Sequence, residues 1–186
     1  MVELHRIRQN VANLYRLVER GIPVVTFSPS ACMALKNDYL DVYDTPESRE
    51  VSANVYDLHE YLSLLNQRGA LHRDKMVPVD RRCTIHMHCH GKVQKLDPYV
   101  IGMLSLIPSL KFEVLERGSC GVGGSYSFIK GNLKPSLRMG AALFDSVNAS
   151  SVPVYSTGES CALQMTQGSG VHLGLTSELL AEAFAV

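Results

Sequence analysis

The sequence predicts an α/β fold with mainly parallel sheets and flanking helices. Segments with apolar residues at helical spacing alternate along the 186 residues with short apolar runs, which are typical of buried strands. This alternation is the pattern of parallel sheets covered by helices. One part of the pattern also occurs twice, so we expect one complete and one partial pseudo-repeat.

The N-terminal elements are predicted to be a helix, a strand and two further helices. An apolar stripe predicts a helix over 3–20, and Gly21 ends it before an apolar strand at 22–27. A short helix is predicted around Cys32. The pair Thr45-Pro46 is typical of the start of another helix. The apolar face of that helix is predicted to contain Val51, Val55, Leu58, Leu62 and Leu65.

The C-terminal elements alternate more regularly. A polar, proline-punctuated connector at 68–79 leads to a strand at 82–88, a helix at 98–106 and a strand at 112–115. A glycine-rich loop then covers 118–127. The last predicted elements are a helix at 135–147, a strand at 152–156, a short helix after Glu159 and a helix at 177–184.

One order of elements occurs twice, at a separation of about 130 residues. Each copy has a helix, an apolar strand that contains proline, and a short helix with one cysteine, Cys32 in the first copy and Cys161 in the second. We therefore expect a partial first repeat with its connector over 1–79 and a second repeat over 80–186. Only the second copy has the long upstream part, so we expect either a truncated chain or a missing piece from another chain.

Composition and charge disfavour several classes of protein. The 18 Lys+Arg balance 18 Asp+Glu, so we expect no nucleic-acid partner. No apolar stretch reaches the roughly 20 residues of a transmembrane helix, and the start lacks an apolar signal core, so we expect a cytoplasmic protein. Five cysteines are an odd number in a chain without an export signal, which argues against a disulfide framework.

Three cysteines follow predicted strands or lie in the loops after them. Because loops after parallel strands gather at one edge of a sheet, we expect Cys89, Cys120 and Cys161 to converge. Thiolates from several loops are the ligands of iron–sulfur clusters, and glycines beside them, such as Gly121, let backbone amides approach the sulfurs.

Other residues near these cysteines have structural interpretations as well as chemical ones. A single free cysteine is more often a core residue than a ligand, and Cys83 on an apolar strand is expected to be one. The alternating His86, His88 and His90 would share one face of a strand. Beside Cys89 they are candidates for zinc ligation, general-base chemistry or simple hydrogen bonding.

At this point the residues resemble the cysteine-rich CCG family, which includes the B-subunit of heterodisulfide reductase. The family's repeat has a strand ending in Cys-His, a Cys-Cys-Gly loop and a terminal cysteine. Here Cys89-His90 is similar to the first element, the segment 115–126 with Cys120 to the second, and Gly158 to Cys161 to the last. They are separated by 30 and 40 residues, which suits the family. The segment 107–115 before the glycine loop also resembles the family, particularly the C-subunit of anaerobic glycerol-3-phosphate dehydrogenase and the iron–sulfur subunits of glycolate oxidase.

Two positions depart from the family pattern. Ser119 stands where the first cysteine of the Cys-Cys pair belongs, and Gly158 stands where some members carry a further cysteine. A fourth ligand would therefore come from Cys32, Cys83, a histidine or another chain.

The resemblance implies an iron–sulfur electron-transfer subunit or fragment. It would pass electrons between an FAD-dependent dehydrogenase and a quinone, thiol or disulfide acceptor, with Cys89, Cys120 and Cys161 as ligands and Gly121 as an amide donor. The alternatives are a zinc site that adds His88 or His90 to these cysteines, and a metal-free interaction module of the same fold. Association with a membrane through a partner and a homo-oligomer stay open.

Overall fold

The computed structural model describes residues 2–115 and 118–185. Glu116 and Arg117, in the predicted cysteine loop, lie outside the described residues. The α-helices are α1 (Val2–Val18), α2 (Pro29–Met33), α3 (Tyr39–Val42), α4 (Pro46–Ala53), α5 (Leu58–Gln67), α6 (Cys89–Val93), α7 (Asp97–Leu104), α8 (Leu133–Asn148), α9 (Glu159–Ser169) and α10 (Thr176–Ala183). The strands are β1 (Val24–Thr26), β2 (Val55–Asp57), β3 (Arg81–His86), β4 (Leu110–Val114), β5 (Val154–Ser156) and β6 (Gly174–Leu175).

The strands form two parallel sheets. One contains β1 and β2, and the other has the order β4-β3-β5-β6. Every strand pair in the described parts of the chain is parallel. The predicted fold class is therefore confirmed.

The central position of β3 determines where the loops meet. Ile85 of β3 is opposite Val114 of β4, and His86 is opposite Ser156 of β5. Three adjacent parallel strands thus end at the same edge of the sheet. The segments that follow them, which carry the three predicted cysteines, leave from that edge.

Three apolar clusters hold the helices on the sheets. The largest lies against β3 and includes the fully buried Ile85 and Leu179. A second joins α8 and α9 and includes Cys120 and Cys161. The third holds α1 and α4 around the N-terminal sheet and includes Cys32.

The two sheets share an order of elements. In each, a strand is followed by a helix that carries a cysteine, then by a parallel neighbouring strand and a helix that begins directly after it. These are β1, α2, β2 and α5 in the first case and β5, α9, β6 and α10 in the second. In addition, β5 pairs with β3, whereas in the described residues β1 pairs with β2 alone.

The single helix predicted from 46 to 65 is wrong, because β2 interrupts it. Helix α4 ends before Asn54, and Asp57 caps α5 by accepting the backbone N–H of His59 at 2.9 Å. Apolar residues on both sides of β2 happen to continue the helical spacing. The capping residue was the local signal that a new helix begins.

The predicted strand at 82–88 ends two residues early. Strand β3 stops at His86, and His88 caps α6 by accepting the backbone N–H of His90 on Nδ1 at 3.0 Å. The expectation that the three histidines share one strand face is therefore wrong. Among the described residues, no helix combines the length and the apolarity needed to cross a bilayer.

Candidate functional site

Three cysteines from three loops line one cavity at the edge of the larger sheet. Cys89 follows β3, Cys120 follows β4 and Cys161 follows β5. The cavity has a volume of about 240 Å³, and its wall includes Cys89, Cys120, Cys161, Ser119, His86 and Lys92. The prediction that these cysteines converge is thus confirmed by their positions.

Two of the thiols are in direct contact. Cys120 Sγ and Cys161 Sγ lie 2.9 Å apart, and both side chains are buried in the apolar cluster that joins α8 and α9. The pKa of Cys120 is lowered, chiefly because the Cys161 thiol donates a hydrogen bond to it, and this outweighs the effect of burial. The same hydrogen bond and burial raise the pKa of Cys161. Of the two thiols, Cys120 therefore loses its proton more readily.

The third thiol, that of Cys89, lies on a different helix and is more exposed than the other two. Cys89 is the first residue of α6 and is exposed. Partial desolvation and the nearby Cys120 raise the pKa of its thiol. It is the member of the three that a molecule from solution reaches first.

The close approach of the Cys120 loop to α8 requires a glycine at position 121. Its φ is +85°, and a Cβ there would collide with the carbonyl oxygen of Ser136 on α8. Ser136 Oγ donates to the carbonyl of Gly121 at 2.7 Å and accepts from Gln164 Nε2 of α9 at 2.6 Å. This network fixes the Cys120 loop on the two helices.

Gly121 is not among the residues whose backbone amides donate to the thiols of Cys89 and Cys120. The Gly121 N–H donates to Ser119 Oγ at 3.1 Å. The backbone N–H of Val122 instead donates to the Cys120 thiol and helps to lower its pKa. The glycine at position 121 is thus followed by the residue, Val122, whose amide donates to the Cys120 sulfur.

The histidines of the motif have separate environments. His86 lines the cavity, and its Nδ1 lies 3.1 Å from Ser156 Oγ. Burial lowers the pKa of His86 to about 4, so its imidazole is neutral at physiological pH.

His88 and His90 face the N-terminal part of the chain. His88 Nε2 lies 3.4 Å from Ser30 Oγ and 3.4 Å from Ser160 Oγ, and His90 Nδ1 lies 3.0 Å from Ser30 Oγ. Neither histidine lines the cavity, although His88 Nδ1 is 4.0 Å from Cys89 Sγ. Burial lowers the pKa of His88 to about 4 as well.

The other two cysteines lie away from the cavity. Cys32 is fully buried in the N-terminal cluster, and its burial raises the pKa of its thiol to about 12. Cys83 is buried in the main core on β3, where burial also raises its pKa. Neither is placed to supply a fourth ligand to the cavity.

The side chains around the cavity are of the chemical types that bind iron–sulfur clusters and zinc. In the described part of the chain, no three His, Cys, Asp or Glu side chains are already arranged around one metal position. Three thiols and a neutral imidazole nevertheless surround one cavity, and thiolate and imidazole are ligands of iron–sulfur clusters and of zinc. Binding would require the Cys120–Cys161 contact to open.

Sequence reasoning named His86 only together with His88 and His90, as one of three candidate zinc ligands, and it did not single out Lys92. The available signal was position, because His86 ends a strand and Lys92 lies one helical turn after Cys89. Val122 carries no side-chain signal, since it acts through its backbone.

Comparison with known proteins finds components of redox enzymes. The chain is 26% identical over 183 residues to the C-subunit of anaerobic glycerol-3-phosphate dehydrogenase of Escherichia coli K12, an alignment that covers 96% of this chain and 46% of that protein. It is 32% identical over 127 residues to the B-subunit of the fumarate reductase (CoM/CoB) of Methanothermobacter marburgensis, covering 66% of this chain and 23% of that protein. The chain therefore spans less than half the length of these relatives. No family model and no solved structure matches it.

Proposed function

We propose that this chain is an iron–sulfur electron-transfer subunit, or part of one. It would pass electrons between an FAD-dependent dehydrogenase and a quinone, thiol or disulfide acceptor. The observation that carries the proposal is the convergence of Cys89, Cys120 and Cys161 at the ends of three adjacent parallel strands. The similarity to subunits of a dehydrogenase and a fumarate reductase supports the same class of function.

The cavity residues have distinct proposed roles. Cys89, Cys120 and Cys161 would hold an iron–sulfur cluster, which when bound supplies the centre that carries electrons. The Val122 amide donates to Cys120 and favours its thiolate form. Lys92 lines the same cavity, and its ammonium group would offset part of the negative charge of three thiolates.

We also propose that the chain contains a partial first repeat of the CCG pattern with its connector, 1–79, and a second repeat, 80–186. The shared order of strand, cysteine-bearing helix, strand and helix in the two sheets supports this division. The first repeat keeps Cys32 but buries it in an apolar cluster, so the proposed cluster site belongs to the second repeat.

A second candidate is a zinc site at the same cavity. Three thiols with the neutral imidazole of His86 form a Cys₃His donor set, which is common in structural zinc sites. In this structure His86 serves that purpose better than His88 or His90, because it lines the cavity. A metal-free interaction module that docks a dehydrogenase is the third outcome that the following experiment distinguishes.

The test is metal analysis of protein purified without oxygen and reconstituted with iron and sulfide. Brown protein with iron and acid-labile sulfide, lost in Cys89→Ser, Cys120→Ser and Cys161→Ser and kept in Cys83→Ala, supports the cluster. One zinc per chain in colourless protein, lost in the same variants and in His86→Ala, supports the zinc site. Folded protein without iron or zinc contradicts both and supports the interaction module.

A further inference from the structure

The Cys120–Cys161 pair is arranged for a reaction of its own. The two sulfurs lie 2.9 Å apart, which is within about 1 Å of the length of a disulfide bond. Both belong to the α8–α9 cluster, so the contact is held by packing. Both sulfurs also line the cavity, through which a small oxidant can reach them.

We propose that, when no metal is bound, Cys120 and Cys161 are a peroxide-reactive dithiol that closes to an intramolecular disulfide. This goes beyond electron transfer by a cluster and does not depend on it. The residues form no part of a permanent disulfide framework. In proteins of reducing compartments, transient disulfides of this kind are redox-sensing or catalytic.

The reaction balances with hydrogen peroxide as the oxidant. The sulfur of Cys120 attacks one peroxide oxygen, the O–O bond breaks, and a sulfenic acid and one water are formed. The sulfur of Cys161 then attacks the sulfenic sulfur, the S–O bond breaks, and a second water leaves with the Cys161 proton. Two thiols lose two electrons and two protons in total, and one peroxide becomes two waters.

The structure selects this pair among the five cysteines. Cys32 and Cys83 are buried in other apolar clusters and face no shared cavity with the pair. Cys89 lines the cavity but is carried by α6, whereas Cys120 and Cys161 are already in contact. The exposed Cys89 is therefore expected to be oxidised separately or to remain a thiol.

The disulfide and a bound metal centre exclude each other. A disulfide removes both thiolates that a cluster or zinc would need from this pair. The oxidised chain is therefore expected to take up no iron until a thiol reductant restores Cys120 and Cys161.

The test uses metal-free, reduced protein treated with stoichiometric hydrogen peroxide, quenched with N-ethylmaleimide and digested for mass spectrometry. We expect a cross-linked peptide pair containing Cys120 and Cys161, and an intact mass, measured before alkylation, that is lower by two hydrogens. Cys89→Ser should give the same product, since Cys89 takes no part. Cys161→Ser should give no cross-link and should leave a sulfenic acid on Cys120 that dimedone traps.

Two results would overturn the proposal. One is a cross-link that joins Cys89 to either residue and disappears in Cys89→Ser. The other is wild-type protein in which Cys120 and Cys161 both remain alkylated after peroxide treatment. Iron uptake by reduced and oxidised samples is measured beside this: absence of uptake in both contradicts the proposed cluster while leaving the disulfide result intact.

Discussion

The ring of His88 lies directly against Gly158, so that a Cβ at position 158 would collide with it. The backbone of Gly158 is extended, with φ −139° and ψ 132°, a conformation that any residue adopts. The obstacle to a side chain here is therefore the histidine ring and not the backbone conformation. A cysteine at this position is thus incompatible with the present placement of the His88 ring.

Gly158→Ala should destabilise the protein by about 1–3 kcal/mol, because the methyl group overpacks a buried contact. In a His88→Ala background the same change should cost much less, since the ring is gone. Urea unfolding of the two single variants and the double variant measures this coupling. Gly102→Ala is the matched control, because nothing lies within 4 Å of a Cβ there and it is in α7. Additive effects of Gly158→Ala and His88→Ala would contradict the contact.

Ser119→Cys should raise the iron and sulfide content after anaerobic reconstitution. Ser119 is an exposed residue that lines the cavity, and a thiolate is a far better ligand for iron than a hydroxyl group. Ser125→Cys is the control, because Ser125 is exposed on the same loop and is not part of the cavity wall. Equal iron in wild type and Ser119→Cys, quantified side by side, would show that position 119 does not face the metal.

Cys83→Ala should lower the free energy of unfolding by about 1–2 kcal/mol through lost packing. Cys83 is 1% exposed in the main core and does not line the cysteine cavity, so the metal content should not change. Chemical unfolding and metal analysis of the same preparation check both parts. Loss of metal without loss of folded protein would mean that Cys83 has a role at the site.

Gly121→Ala should destabilise the protein more than Gly124→Ala. Both glycines have positive φ, +85° and +65°, so each substitution carries a similar backbone cost of about 1 kcal/mol. At Gly121 the new methyl group also collides with the Ser136 carbonyl, whereas nothing lies within 4 Å at Gly124. Thermal or urea unfolding of the two variants gives the difference. Equal losses would mean that the loop moves away from α8 at little cost.

The parallel arrangement of the strands and the convergence of the cysteines were predictable from sequence because both follow from a general rule. Alternating helices and strands predict a parallel sheet, and parallel strands bring their following loops to one edge. Cys89, Cys120 and Cys161 needed only to follow different strands. Their convergence required no long-range information.

The contacts that the sequence did not predict depend on residues far apart in the chain. The ring of His88 contacts Gly158, and Ser30 contacts His90, across separations that no local pattern encodes. Strand β2 was not predicted for a different reason. It is only three residues long, and its valine continues the helical spacing of α4. Short strands need a partner strand to be recognised, and that partner is β1.

Helix α2 of the N-terminal part joins the two helices that carry Cys89 and Cys161. It contacts α6 through Ser30 and His90 and through the Gln94 bond to the Pro29 carbonyl at 2.8 Å. Its N-cap, Ser28, donates to Glu159 of α9 at 2.7 Å. The N-terminal part, whose own cysteine does not line the cavity, therefore contributes to the site by bridging two of the helices that carry its thiols.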